Sequence, residues 1–209
     1  MGKQPKKEIQ DGRTGSSGLV YQVKVTLKGI KPPIWRRVLL PPEISLERLH
    51  HVLQTVMGWT NSHLHEFVID GFRYGYPSGE TDEDIENEKR YKLSQIVPGE
   101  KAKFSYIYDW GDYWDHEILV EKIVTHDEGI AYPVVLAGKR ACPPEDCGGP
   151  SGYEELLKVL GDPSHPEHED SFNWLPGDFD SDKFDIESVN KALSPSREKP
   201  KRTWVKSRS

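Results

Sequence analysis

The hydrophobic period is mainly that of strands until the last third of this chain, where it becomes helical, and that change limits what it can fold into. Leu19, Tyr21, Val23, Val25 and Leu27 alternate with mostly polar neighbours, the period of a half-buried strand. A turn follows over Gly29 to Pro33, where Pro32-Pro33 forbids helix, and Ile34 to Leu40 predicts a second strand closed by Pro41-Pro42. Next comes a helix. Ser45 is its N-cap, Leu46, Leu49, Leu53, Val56 and Met57 form one apolar stripe, and Gly58 ends it. His65 to Ile69 and Phe72 to Tyr74 predict a hairpin about Asp70-Gly71. The acid-rich stretch from Glu80 to Arg90 predicts a solvated loop. Lys103 to Tyr108 and Trp114 to Val124 predict a second hairpin, and Tyr132 to Ala137 a further strand.

In the last third the period becomes helical. Ser151 and Glu154 have capping-box spacing, Leu156, Leu157 and Leu160 follow, and Gly161 is the stop. Two more helices are expected, from about Pro166 to Leu175 and from about Asp185 to Leu193. Strands first and helices later imply an α+β fold: a largely antiparallel mixed sheet, one helix after the first two strands, and a C-terminal group of helices.

A 209-residue chain that is 35% hydrophobic and 10% aromatic can build one sizeable core. Residues 1–18 read as a flexible leader, 19–195 as a single domain, and 196–209 as a basic disordered tail. No apolar run is long enough to span a bilayer, no stretch resembles a secretory signal, and there are two cysteines. A cytoplasmic, reducing location is the expectation. The net charge is −6, but the tail from Arg197 to Arg208 is basic, so the body is more acidic than the total. An acidic body repels a phosphate backbone, which leaves nucleic acid as a partner only for the tail.

The densest chemistry lies in Tyr106-Ile-Tyr-Asp-Trp-Gly-Asp-Tyr-Trp-Asp-His-Glu117. Aromatics favour burial, and carboxylates resist it unless paired. The segment should form the tip of the second hairpin. Tyr108, Asp109, Trp110 and Asp112 would then be free to meet a ligand, and Trp114 would belong to the core. Trp35 and Trp59 are further candidates for an aromatic cleft.

Strand alternation puts His63, His65, Phe67 and Ile69 on one face, and Trp114, His116, Ile118 and Val120 on one face of the other hairpin. His63-x-His65 lets two imidazoles reach one metal, with His116 and Asp109, Asp112 or Asp115 to complete the set. Hydrogen-bonded core histidines and a metal-free ligand site are the competing readings. His50 and His51 give no such signal. Divalent zinc is the metal this set would suit; otherwise no cofactor is expected.

Cys142-Pro-Pro-Glu-Asp-Cys-Gly-Gly149 holds both cysteines, together with Glu145 and Asp146. Their spacing is not a Cys-x-x-Cys knuckle, and no second pair exists for a zinc ribbon. The turn residues suggest a rigid loop leading to a helix start whose amides could hold an anion. Asp178-x-Asp180-x-Asp182 fails the calcium-loop template, because Lys183 stands where glycine is needed. No nucleotide or hydrolase signature occurs.

Several motifs in order resemble the plasmid pRiA4b ORF-3-like family, some of whose members are labelled transposon passenger proteins of the TnpR type. They are Tyr21 to Arg37, Leu49-His50 through Trp59, Ser62 to Phe67, Tyr108 to Asp112 with Trp114 to Ile118, and Cys142 to Gly149. The resemblance spans about Leu19 to Leu193 and implies a compact α+β domain. It implies no reaction, and the serine-and-arginine pattern of a resolvase is not visible.

Two functions follow as expectations. One is a non-enzymatic binding or accessory module of plasmids or mobile elements. It would take a small ligand or peptide at Tyr108, Asp109, Trp110, Asp112, His116, Cys142, Glu145 and Asp146. The other is a metal-assisted hydrolase built on His63, His65 and His116.

Overall fold

The computed structural model describes residues 18–77, 84–175, 177 and 179–194. The expected leader, apart from Gly18, the basic tail, and part of the acidic stretch lie outside the described residues. The elements run β1 (Leu19–Leu27), β2 (Ile34–Leu40), α1 (Leu46–Met57), β3 (His65–Ile69), β4 (Phe72–Gly75), β5 (Ile85–Asn87), α2 (Leu93–Ile96), β6 (Lys103–Tyr108), β7 (Trp114–Thr125), β8 (Val134–Lys139), α3 (Gly149–Gly161), α4 (His168–Trp174) and α5 (Ile186–Leu193). The strands form one eight-stranded sheet in the order β5-β4-β3-β6-β7-β1-β2-β8. Every neighbouring pair is antiparallel except β4 with β5. The architecture is mixed α+β, as the change of period implies.

Alternation decides which face is covered. Val23, Val25, Leu27, Phe67, Ile69, Tyr106, Tyr108, Trp114, Ile118 and Val120 are buried and share one core with the α1 stripe of Leu46, Leu49, Leu53, Val56 and Met57. Each such apolar side chain contributes roughly 1.5–3 kcal/mol on leaving water. The other face is more polar, where Arg37 forks onto Glu121 at 2.6 and 2.8 Å. One solvated face is ordinary for an antiparallel sheet.

Helix α1 matches its sequence signals. Ser45 caps Arg48 N, and Gly58 ends the helix at φ 92. Helix α5 begins at Asp185, which caps Ser188 N.

Other boundaries differ for physical reasons. Helix α3 starts at Gly149, with Gly148 as N-cap and Pro150 in its first turn, so Ser151 lies inside it and caps nothing. Proline's fixed φ favours the first turn and carries the start upstream. Strand β8 starts at Val134, two residues after the expected Tyr132. The acidic stretch is not wholly a solvated loop: Ile85–Asn87 pairs in parallel with β4. Glu88, only 3% exposed, turns inward to His65. The short helix α2 carries no sequence period long enough to announce it. No helix among the described residues is long and apolar enough to cross a membrane.

Candidate functional site

Three connections meet at one end of the central strands: residues 58–64 between α1 and β3, 109–113 between β6 and β7, and 140–148 between β8 and α3. Polar bonds, part-buried around Tyr108 and exposed toward the rim, hold them together. Tyr108, at the end of β6, has its hydroxyl inside the junction. It accepts from Ser62 N at 3.0 Å and His63 N at 3.3 Å and donates to Glu145 Oε1. Thr60 donates to the other Glu145 oxygen through both its hydroxyl and its amide. Burial would raise the Glu145 carboxyl, but these hydrogen bonds outweigh it and hold it below its usual range. Burial and Glu145 together push the Tyr108 phenol upward.

The hairpin tip closes the junction. Asp109 is 7% exposed in a left-handed conformation, and its Oδ1 accepts from Gly111 N at 2.8 Å. Asp112 Oδ2 accepts from Gly148 N at 3.2 Å. One of the amides at the helix start is therefore taken by this chain's own carboxylate, and Asp112 clamps a loop.

A second network fixes the approach from α1. Gln54 donates to Tyr106 Oη at 2.9 Å, and Tyr106 donates to His50 Nδ1 at 2.8 Å. His50 Nε2 then donates to Asn61 Oδ1 at 2.7 Å, and Asn61 N returns to Gln54 Oε1 at 2.9 Å. The ring of four is fully satisfied, which is what makes a buried polar cluster tolerable. His50 also stacks flat on His65, with ring centroids 3.4 Å apart and planes 2° apart. His65 in turn bonds Glu88 at 2.8 Å.

A cleft of about 590 Å³ opens beside this plate of imidazoles, lined by Asn61, His63, His65, Tyr76, Lys89 and Trp110 among others. Leu64, Tyr76 and Trp110 are 59, 60 and 46% exposed. Three ion pairs sit along it: Lys89 pairs with Glu47 at 3.0 Å, Arg73 with Glu66 at 2.7 Å and His65 with Glu88 at 2.8 Å.

The residues singled out from the sequence fall into distinct places. Trp110 and His63 line the cleft. Asp109 and Asp146 approach His63, with carboxylate oxygens 3.6 and 3.3 Å from Nε2. His65 and His116 do not join that group. His116 is fully buried in the central strands, edge-on to Trp59, with Nδ1 donating to Tyr106 O at 3.0 Å. Its strand, β7, sits fifth of eight, well inside the sheet. Trp59 is core, stacked on Tyr108 and Trp114 with Nε1 donating to Pro143 O. Trp35 lies beside Lys24 and Arg37, away from the cleft.

Both cysteines are free. Cys142 is buried against Met57 and the Arg36 guanidinium, and burial pushes its thiol up to about 12. Burial, with Asp112 nearby, does the same to Cys147. Neither is a thiolate at neutral pH, so neither suits nucleophilic work. Arg36 is buried, with its donors on the carbonyls of Val56, Trp35 and Lys139, so it is not open to an acidic ligand.

Sequence inspection missed His50, Gln54, Asn61 and Glu88. A signal existed for the first two: they stand four residues apart beside the apolar stripe, so both must turn partly inward. Nothing local marked Asn61 or Glu88.

Burial lowers His50 to about 3, helped by the neighbouring His65, and burial lowers His116 to about 4. Both values lie below that of an unfolded histidine, about 6.5. Between these limits the unfolded chain binds more protons than the folded one. The stability from keeping both rings neutral is present above about pH 6.5 and is lost as pH falls toward 4 and 3. Each group titrating only in the unfolded chain contributes a slope of about 1.4 kcal/mol per pH unit. Urea midpoints should fall steeply between pH 6.5 and 4.5, and a flat profile across that range would contradict neutral burial.

The fold and junction define an α+β protein in which Tyr108, Glu145 and Asp112 clamp three loops together, two of which, 58–64 and 109–113, help line an aromatic-rimmed cleft. The chain belongs to the plasmid pRiA4b ORF-3-like protein family, whose model matches residues 19–188. It is 41% identical over 176 residues to the uncharacterized protein y4hQ of Sinorhizobium fredii (strain NBRC 101917 / NGR234), covering 83% of this chain and 90% of that protein. It is also similar to the crystal structure of MM3350, a protein of unknown function from Methanosarcina mazei Go1. That match has a TM-score of 0.73 and 40% identity, covering 82% of this chain and 98% of that one.

Proposed function

We propose that this protein is a binding module that takes the planar part of a small ligand, or an aromatic side chain of a peptide, into the cleft beside His65. One observation carries this: Leu64, Tyr76 and Trp110 stay exposed around a concave site where Lys89, Arg73 and His65 each already pair with a carboxylate. Large apolar side chains gathered at a cleft, with a few polar groups between them, are the usual composition of a ligand pocket. With His65, Arg73 and Lys89 already paired, the cleft favours stacking over ionic anchoring through these three groups. Such a module would serve as an accessory protein in plasmid-borne genes, the setting from which the family takes its name.

The test is a screen of nucleosides and aromatic dipeptides by thermal shift and tryptophan fluorescence, with product analysis of every hit. A hit should bind Trp110→Ala roughly 10- to 100-fold more weakly, since one stacking contact contributes about 1–3 kcal/mol. Equal affinity for the variant would sink this assignment. Metal-assisted hydrolysis is a second reading, favoured by the approach of Asp109 and Asp146 to His63. Product analysis separates the two, because a binding module leaves each hit intact.

A further inference from the structure

We propose that His63, Asp109 and Asp146 form a divalent-cation site of the zinc type, seated between the hairpin tip and the Cys142–Gly148 loop. This goes beyond the ligand-binding assignment and does not rest on it.

The three side chains come from three connections and offer one nitrogen and two carboxylate oxygens, all within 4.8 Å of one another. His63 Nε2 lies 3.6 Å from Asp109 Oδ2 and 3.3 Å from Asp146 Oδ1. Charge-assisted hydrogen bonds are shorter, about 2.7–2.9 Å. The nitrogen is buried and has no hydrogen-bond partner. A tetrahedral zinc ion with bonds of about 2.0–2.1 Å holds its ligand atoms roughly 3.3–3.4 Å apart, so the two observed spacings fit such a centre. An imidazole with two carboxylates is a donor set that zinc accepts.

Asp109 supplies an independent reason. It is nine-tenths buried, and a buried carboxylate is costly unless compensated. Its Oδ1 receives one amide from Gly111, and its Oδ2 lies 3.6 Å from the His63 nitrogen. A cation between them would compensate the carboxylate and give the unpartnered nitrogen a ligand role. Asp146, on the exposed side, would complete a three-ligand set and leave the fourth position to solvent or ligand, the pattern of an open rather than a structural zinc site.

The protein scaffolds this cluster by itself. Tyr108 and Thr60 hold Glu145, next to Asp146; the Tyr108 hydroxyl also accepts the His63 amide; and Asp112 holds Gly148. Because these clamps need no ion, the chain should stay folded when the metal is removed. The competing account is a protonated His63 held as an ion pair by the two carboxylates, which takes up no metal.

The experiment uses the full chain without a purification tag, stripped with chelator. Equilibrium dialysis against zinc, and cobalt(II) absorption spectroscopy, read stoichiometry and geometry. One equivalent per chain is expected, with the intense visible band of tetrahedral cobalt. His63→Gln and Asp146→Asn, both at partly exposed positions that should fold, are expected to weaken zinc binding about 100-fold or more, beyond the usual cost of losing an outer-shell partner. His51→Gln should change nothing. Less than a tenth of an equivalent in the wild type, or unchanged affinity in His63→Gln, would overturn the proposal. Trp110→Ala should retain its metal, so failure of the metal site and failure of ligand binding are separate results.

Discussion

Replacing Trp114 by alanine is expected to cost about 3–5 kcal/mol, the largest loss of any single truncation in the hairpin. The indole has no exposed surface and stacks on Trp59 at 5.9 Å between rings. It sits on β7 near the middle of the sheet, so the cavity cannot collapse without moving β6 or β1. Its ring nitrogen has no partner, so the loss is one of packing and apolar burial, with no hydrogen bond to replace. In a chain of this size the melting temperature should fall by roughly 10 °C. Trp110, four residues earlier and half exposed, should cost little stability when truncated and should instead lose ligand. Equal destabilisation by the two substitutions in a urea titration would refute this division of the hairpin.

Gly149→Ala is the second large effect. The glycine has φ +68, where a side chain is strained, and an added Cβ would lie 2.4 Å from the carbonyl oxygen of Asp112. That oxygen is backbone and cannot swing aside. Helix α3 would have to move away from the hairpin tip, loosening the Asp112–Gly148 bond and the loop that carries Glu145 and Asp146. Strain and overpacking together predict a loss of about 2–5 kcal/mol. Gly161, at the other end of the same helix, faces open space, and Gly161→Ala should be neutral or slightly stabilising. If chemical denaturation gives the two variants the same midpoint, close contact at Gly149 is not what holds the loop.

These two expectations show how legible the chain is. β1, β2, α1 and the Asp70-Gly71 hairpin follow from local signals, because alternation, helical spacing, caps and turn residues act within a few positions. The start of α3 was harder to place. Ser151 and Glu154 have the right spacing for a capping box, but Pro150 and the contact between Gly149 and Asp112 act first. Glu88 looked like part of a solvated run until β5 joined β4 and turned it toward His65. The His63-x-His65 spacing pointed to one metal shared by both rings. The fold divides them, sending His65 to Glu88 and His63 to Asp109 and Asp146.

The sequence alone determined the α+β class, most of the strands, the capped helix after β2 and the family, because periodicity and ordered motifs are properties of neighbours along the chain. It also marked the stretch from Tyr106 to Glu117 as unusual. Only the tertiary structure decided how that stretch is divided: Tyr106, Tyr108, Trp114 and His116 in the core, Trp110 at a cleft, and Asp109 and Asp112 facing other loops. The physical reason is that burial and pairing depend on which distant segments arrive. Here those segments are α1 and its following loop on one side and the Cys142–Gly148 loop on the other.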